Sequence, residues 1–534
     1  MNSIMLATLF SAIFAQSALG AAVRGQRGNN SHCDSKFCTW WHDSGEINTY
    51  TLVQPGNVRQ SHQYYVQISV AGANKFYDSF VYKSIPRNGN GRIYSPWDAP
   101  NSNTMNHSVD DGITIEPSFE YDADVDVKIL RRDGISLGPT SGVVIRPSTV
   151  RYALRTSHDG GIIIRVPKDS NGRKFSVELS SDLYNYRSNG SHYVSSGGSV
   201  VGVESTNALM IFASPFTPPD MILSMNSTNI HTMTPGPINN GDWGSSPIRY
   251  FPPGNFYAAG HGVLSGEHYV YQANPTTYYQ SVKDDGYSLR MWWHNNLGGG
   301  QTWYCVGPTL NAPRFNTMDF HGNTDISVQV SDYKQVGAFF FQTDGPQMYP
   351  HGVVHHVFYH VNDDAIKVYY SDVSVSNITV WKGHNDPIIQ MGWSVRNVSN
   401  VTIDTLNVIH TRYIKSETYV PSSIIGASPF YASGFMTVSN VVCEGLCPAL
   451  LRITPLQSYK DFVIRDVAFP DGLQRDSIGT GVSIIPASEP GISMDLQIMN
   501  WTVVGQKVAM ENFQSDSLGQ LNISASYWGQ WSIS

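Results

Sequence analysis

The second half of the chain repeats a short pattern, x-[Asn/Asp/His]-apolar-x-apolar, which limits the fold more than any other feature. It occurs at Thr324-Asp-Ile-Ser-Val328, His355-His-Val-Phe-Tyr359 and Ser376-Asn-Ile-Thr-Val380. It returns at Ser399-Asn-Val-Thr-Ile403, Ser439-Asn-Val-Val-Cys443, Lys460-Asp-Phe-Val-Ile464 and Met494-Asp-Leu-Gln-Ile498. The intervals are 31, 21, 23, 40, 21 and 34 residues, a basic period of 21–23 with insertions in some turns. A period this short cannot hold two helices. It fits one coil of a right-handed parallel β-helix, whose strands stack on those of the next coil.

The first half is organised differently. Short alternating runs at Tyr64–Val70, Val127–Leu130, Val143–Arg146, Ile162–Val166 and Phe175–Leu179 are separated by turn signals. That spacing predicts a β-sandwich. A Pro-, Asn- and Gly-rich stretch follows. The expected division is a signal peptide over 1–20, a tail over 21–32, a sandwich over 33–215, a linker over 216–245 and the β-helix over 246–534. Composition agrees with an all-β chain. Only 14% of residues are charged, against 47 Gly, 29 Pro, 12 Trp, 29 Tyr and 22 Phe. Coiled coils and long surface helices need more Glu, Lys and Arg. The net charge of −8 is the wrong sign for a nucleic-acid groove or an anionic-membrane surface.

An apolar run from Ile4 to Phe14, followed by Ala18-Leu19-Gly20, has the form of a secretory signal peptide, although its start lacks Lys and Arg. Nine Asn-x-Ser/Thr sequons, at Asn29, Asn106, Asn189, Asn226, Asn377, Asn397, Asn400, Asn500 and Asn522, agree with a secreted glycoprotein. No later stretch is apolar enough to span a bilayer, so the mature chain is expected to be soluble; a monomer is expected. In an oxidising compartment the close pairs Cys33–Cys38 and Cys443–Cys447 are the expected disulfides, with Cys305 left free. His32, Cys33, Cys38 and His42 fit no standard zinc spacing, so no metal is expected.

Gln342-Thr-Asp-Gly345 and Asn362-Asp-Asp-Ala-Ile-Lys367 carry the chemistry. Asp344 precedes Asp363 by 19 residues and Asp364 by 20, close to one coil. Residues one coil apart lie about 4.8 Å above one another, the inter-strand spacing. Three stacked carboxylates repel, which raises the pKa of at least one. A glycosidase needs a protonated acid for the leaving oxygen and an ionised carboxylate for water or for direct attack. The surrounding Tyr349, His360, Lys367, Trp381 and Trp393 are expected to line a sugar-binding groove, since aromatic faces suit sugar rings. No cofactor is called for.

The segments Gln342–Gly345, Tyr359–Ser371 and Trp381–Trp393 resemble glycoside hydrolase family 49, which contains fungal dextranases and isopullulanase. Cys38–Asn48 is similar to the start of that family's N-terminal domain, and Gly260–Glu267 to an early coil. Ile403–Ser534, with Cys443-Glu-Gly-Leu-Cys447, is more similar to the dextranase branch. The resemblance implies a sandwich joined to a parallel β-helix and endo-cleavage of α-1,6-glucosidic bonds with inversion. It implies that Asp363 is the general acid and that Asp344 and Asp364 activate water. One departure is visible: the family places one or two more coils after Phe251-Pro-Pro-Gly254, where here Asn255 follows directly. Three other readings stay open: an isopullulanase-like α-glucan hydrolase, a polygalacturonase-like pectin hydrolase, or a non-catalytic carbohydrate-binding β-helix. The pectin reading needs cations for galacturonate; Lys367 is the obvious one, and no Arg-x-Lys pair follows downstream.

Overall fold

A computed structural model describes most of residues 30–41, 61–81, 118–215, 326–411 and 423–509, with short strands in between and up to Trp531–Ile533. Residues 1–20 lie outside the described residues, as do Asn29, Asn106, Asn226, Asn397 and Trp393 and the side chains of Cys305 and Asn522.

The N-terminal part is a sandwich. One sheet runs Asn30–Cys33, Phe37–Trp41, Ser118–Tyr121, Leu209–Pro215, Arg173–Leu179 and Val143–Arg146. The other runs Tyr77–Ser79, Tyr64–Val70, Val125–Arg131, Ile162–Val166 and Ala153–Thr156. Alternate residues supply the core between them: Tyr64, Val66 and Ile68; Val125, Val127 and Ile129; Ile162, Ile164 and Val166. The strand Asn30–Cys33 begins inside the segment expected to be a tail, and the disulfide Cys33–Cys38 closes its hairpin with Phe37–Trp41. The second pair, Cys443–Cys447, is also bonded.

Parallel pairing starts earlier than expected. Ile230–Thr232 pairs with Asn255–Tyr257, and Pro237–Ile238 with Val263–Ser265, so the β-helix begins inside the expected linker. Strands on both sides of Gly254 join the stack: Ile248–Arg249 pairs with His268–Gln272, and Asn255–Tyr257 with Gln301–Val306. From Ile326 onward long strands succeed one another in register: Val353–Val361, Ser374–Lys382, Val401–Thr411, Met436–Cys443, Tyr459–Phe469 and Met494–Val503. A further face stacks Ile366–Lys367, Ile389–Gln390, Ser423–Phe430, Ala449–Pro455, Val482–Ile484 and Asn522–Ile523. Their inward Val, Ile, Leu and Phe side chains form one continuous core. No helix among the described residues is long and apolar enough to cross a membrane.

The repeated polar residue now has a physical cause. Asp332, His356, Asn377, Thr405, Asn440, Asp466 and Asn500 occupy one column and share φ between 51° and 57°. Each long strand bends there through the left-handed region, which Asn, Asp and His tolerate best after Gly. His351, Asp372, Asn400 and Asp461 mark a second corner. The repeat seen in the sequence mixes the two corners, but unequal coil lengths also make its intervals irregular, since the first column alone is spaced by 24, 21, 28, 35, 26 and 34 residues. Side chains tie neighbouring coils at these bends: Asn400 Nδ2 donates to Asp372 (2.7 Å), Asn440 to Asp404 (2.8 Å) and Asn500 to Asp466 (2.8 Å). Of the sequon asparagines whose side chains are described, Asn189, Asn377, Asn400 and Asn500 are all exposed.

The sandwich docks against the β-helix. Leu209–Pro215 is buried on both faces. Leu209, Ile211 and Ala213 enter the sandwich core, while Met210 and Phe212, with Ala208 and Phe80, pack on Val336, Phe358, Trp381 and Ile409 of the coils. A polar network crosses the same interface. Glu178 accepts from His410 Nε2 (2.7 Å) and Ser176 Oγ (2.7 Å) and faces Arg146 (3.4 Å); Arg146 also pairs with Glu444 (2.5 Å). His410 Nδ1 meets Val203 O at 2.9 Å, so each ring nitrogen faces an acceptor. Lys174 bridges to Asp332 at 2.6 Å.

Burial alone raises the pKa of Glu178, but His410 and Arg146 outweigh it and hold the carboxyl below its ordinary 4.5. Its stabilising contribution is therefore present above pH 4.5 and lost as pH falls through the lower folded value. Glu178→Gln is expected to lower stability at pH 7 by about 3 kcal/mol, the low end for breaking a buried pair. Urea melts at pH 7 and pH 3 check this, because the deficit must narrow at the acid end.

Candidate active site

Coil stacking brings Asp344 to the Asp363-Asp364 pair. The strand Val353–Val361 ends in the turn Asn362–Ala365, and Ile366–Lys367 resumes pairing. Gly345 N donates to Asp364 O (2.8 Å), and Gln347 bridges to Lys367, so Asp344 lies one coil before the turn. Two glycines let the chain close around it. A Cβ on Gly345 would stand 2.1 Å from Ala365 O, and one on Gly383, in the following coil, 1.7 Å from Asn362 Oδ1. Neither position has room for any side chain. Lys382 Nζ also holds the turn by donating to Asn362 O (2.5 Å).

The three carboxylates have different surroundings. Asp344 Oδ2 pairs with Lys367 Nζ at 2.6 Å, and Asp344 Oδ1, also buried, meets no donor among the described residues. Gln335 Nε2 fixes the Asp344 backbone through its carbonyl (2.8 Å), and Tyr333 OH in turn orients Gln335 (3.0 Å). Asp363 Oδ1 accepts from Asp364 N (2.9 Å). Asp364 faces Tyr369 OH (3.4 Å) and Gln390 Nε2 (3.5 Å), and Gly392 N donates to Gln390 Oε1, which sets that amide's orientation. Burial pushes the Asp344 carboxyl up to about 7; Lys367 pulls it down and Asp363 pushes it up. The Asp344 carboxyl thus titrates near neutral pH, where it can take up or release a proton, beside two carboxyls with donors of their own, and paired carboxyls in unlike surroundings are what glycoside cleavage requires.

The expected groove residues are placed otherwise. Trp381 is fully buried in the domain interface, where its Nε1 donates to Glu204 (3.0 Å). His360 is buried beside it, with ring centroids 5.1 Å apart, and His410 lies 4.5 Å beyond, so three consecutive coils stack their rings under the sandwich. Tyr349 is packed in the coil core and stacks on Tyr370. These three therefore do not form an open sugar platform, because the strand positions they occupy face the interface or the core. Lys367 is 2% exposed and engaged with Asp344. Tyr369 and Tyr370, by contrast, are half-buried. Gln335 and Gln390 were missed by sequence reasoning. Gln390 pairs in register with Lys367, a signal that needed the second face of the coil to be aligned. Among the described residues, no group of three His, Cys, Asp or Glu side chains could hold a metal ion.

Comparison with known proteins agrees with this architecture. The glycosyl hydrolase family 49 N-terminal Ig-like domain matches residues 27–216, and the family 49 model matches 423–534. A beta solenoid repeat from dextranase matches 314–345, and an isopullulanase beta-solenoid repeat matches 381–413. A dextranase from Talaromyces minioluteus is 65% identical, over 95% of this chain and 94% of its own length. The chain belongs to glycosyl hydrolase family 49. Isopullulanase from Aspergillus niger is 35% identical over 85% of this chain and 86% of its own. The solved structure of Dex49A from Penicillium minioluteum is 61% identical and matches with a TM-score of 0.78, covering 95% of this chain and all of that one. Family membership fixes the reaction as glycoside hydrolysis and leaves the division of labour among the carboxylates to the site itself.

Two substitutions separate site from scaffold. Gly345→Ala displaces the Asp364-Ala365 backbone and is expected to lower turnover about 10²-fold, the effect of shifting reacting groups by an ångström. Trp381→Ala opens a cavity under the sandwich and is expected to cost about 3–5 kcal/mol of stability. Thermal melts and kinetics on the same preparations check both, with Trp381→Ala changing the melt far more than the Michaelis constant.

Proposed function

We propose that the chain is a secreted, endo-acting hydrolase that cleaves α-1,6-glucosidic bonds of dextran with inversion at the anomeric carbon. The observation that carries this reading is the three-carboxylate site on adjacent coils, in a chain 65% identical to a dextranase over nearly its whole length. In the reaction, Asp363 gives its proton to the glycosidic oxygen as the C1–O bond breaks. Asp344 and Asp364 activate the water that attacks C1 from the opposite face, and one of them accepts its single released proton. The product then carries the β configuration. The same reading makes residues 1–20 a removed signal peptide and the mature chain an extracellular glycoprotein that acts as a monomer on a polysaccharide, without metal or cofactor.

The isopullulanase repeat at 381–413 favours a second α-glucan reading, pullulan, on the same carboxylates. The pectin reading loses its support, because Lys367, the cation it needed, is paired with Asp344. Reducing-sugar release from dextran, pullulan and polygalacturonate tests these readings together. Dextran is expected to be the good substrate. Asp363→Asn is expected to cut that activity by about 10²–10⁴, most for poor leaving groups, since the proton donor is gone. Faster release from pullulan than from dextran, or full activity in Asp363→Asn, would overturn the assignment.

A further inference from the structure

The buried cation beside Asp344 has a more specific task than contact with sugar. Its Nζ lies 2.6 Å from Asp344 Oδ2, while Asp344 Oδ1 meets no donor among the described residues. One oxygen is thus held and the other keeps its lone pairs. The neighbours of Lys367 along its face are neutral: Gln347 in the preceding coil and Gln390 in the following one. Lys382, the other cation that acts on Asp344, spends its Nζ on Asn362 O. Among the described residues, the remaining charged groups around Asp344 are carboxylates. Asp363 disfavours its ionisation, and Asp364 is one residue further along the same turn with Tyr369 and Gln390 as donors. Burial and a like charge both act to keep Asp344 protonated, and a protonated carboxyl cannot take a proton from water.

We infer that Lys367 is a positioning residue for the hydrolysis: it holds Asp344 in its ionised form by Oδ2 and leaves Oδ1 to accept the proton of the attacking water. This rests on the base role given to Asp344 above. No bond to Lys367 forms or breaks. The water proton goes to Asp344 and the water oxygen to C1, and the ammonium stays charged throughout.

The consequence has a sign. Removing the cation takes away the larger of the two cationic effects that oppose burial and Asp363, the smaller being that of Lys382, so Asp344 titrates higher and the base exists only at higher pH. Lys367→Met and the more polar Lys367→Gln are compared with Lys367→Arg and with the unchanged full chain. Two quantities are followed: the pH profile of kcat/KM on dextran, and the titration of the Asp344 carboxyl by infrared difference against Asp344→Asn. In both neutral variants the acid limb and the carboxyl titration are expected to move up together by about 1–3 pH units, the effect of one close opposite charge. Lys367→Arg is expected to keep both near their original positions. A neutral variant that loses rate equally at every pH, with the carboxyl titration unmoved, overturns the inference and makes Lys367 a sugar or packing contact. If dextran is untouched by every protein, the unchanged chain included, while the carboxyl still titrates higher in the neutral variants, the dextran reading fails and the ion-pair assignment stands.

Discussion

Hydrogen bonding between successive parallel coils is the constraint on which this molecule depends. Each coil donates its backbone groups to the next, so a residue's neighbour in space is found one coil away rather than nearby in sequence. That rule carries Asp344 to Asp364 through a single backbone bond and sets Lys367 between Gln347 and Gln390. It also demands that every coil bend at the same place. The column from Asp332 to Asn500 meets the demand, at every coil but that of the β-branched Thr405, with Asn, Asp or His, which accept positive φ, and Asn side chains then add bonds to Asp between coils. A one-residue slip in any coil would break the column, turn the apolar face outward and separate the carboxylates.

The sandwich is built into this arrangement through apolar packing and buried charge together. Met210 and Phe212 bury their side chains on Phe358 and Trp381, and Phe358 shares a strand with His360, three residues before Asp363. Around them Glu178, Arg146, His410 and Glu444 satisfy one another where water is excluded. Such a network adds little net stability over apolar packing, but it penalises any other docking that leaves one member unpaired. The N-terminal part therefore supports the coil that leads into the turn of Asp363 and Asp364.

Much of this was legible in the sequence because it follows from period. The two-residue alternation of Ile162–Val166 and the coil-length repeat from Thr324 gave the sandwich and the β-helix, and the 19- and 20-residue spacings placed the aspartates together. The errors have physical reasons. Ile230–Thr232 and Pro237–Ile238 are short strands among Pro and Asn, so their composition resembled a linker. Trp381, His360 and Tyr349 were read as sugar contacts because aromatics suit both cores and sugars. The distinction depends on which face of the coil meets the sandwich, and periodicity within one domain does not carry that. A clue existed in Ala208–Ala213, which is apolar at every position and so announces a strand buried on both faces. Gln335 and Gln390 carry no motif, since their roles arise from register alone.

The central claim is that acid and base stand on adjacent coils with room for water between them, so that the new bond forms opposite the old one. Proton NMR of the first product released from dextran, recorded before mutarotation mixes the anomers, tests that claim most directly. The account predicts a β-configured reducing end. An α-configured end, or a sugar covalently bound to one of the three aspartates, would contradict it, because either outcome requires a carboxylate to attack C1 in place of water.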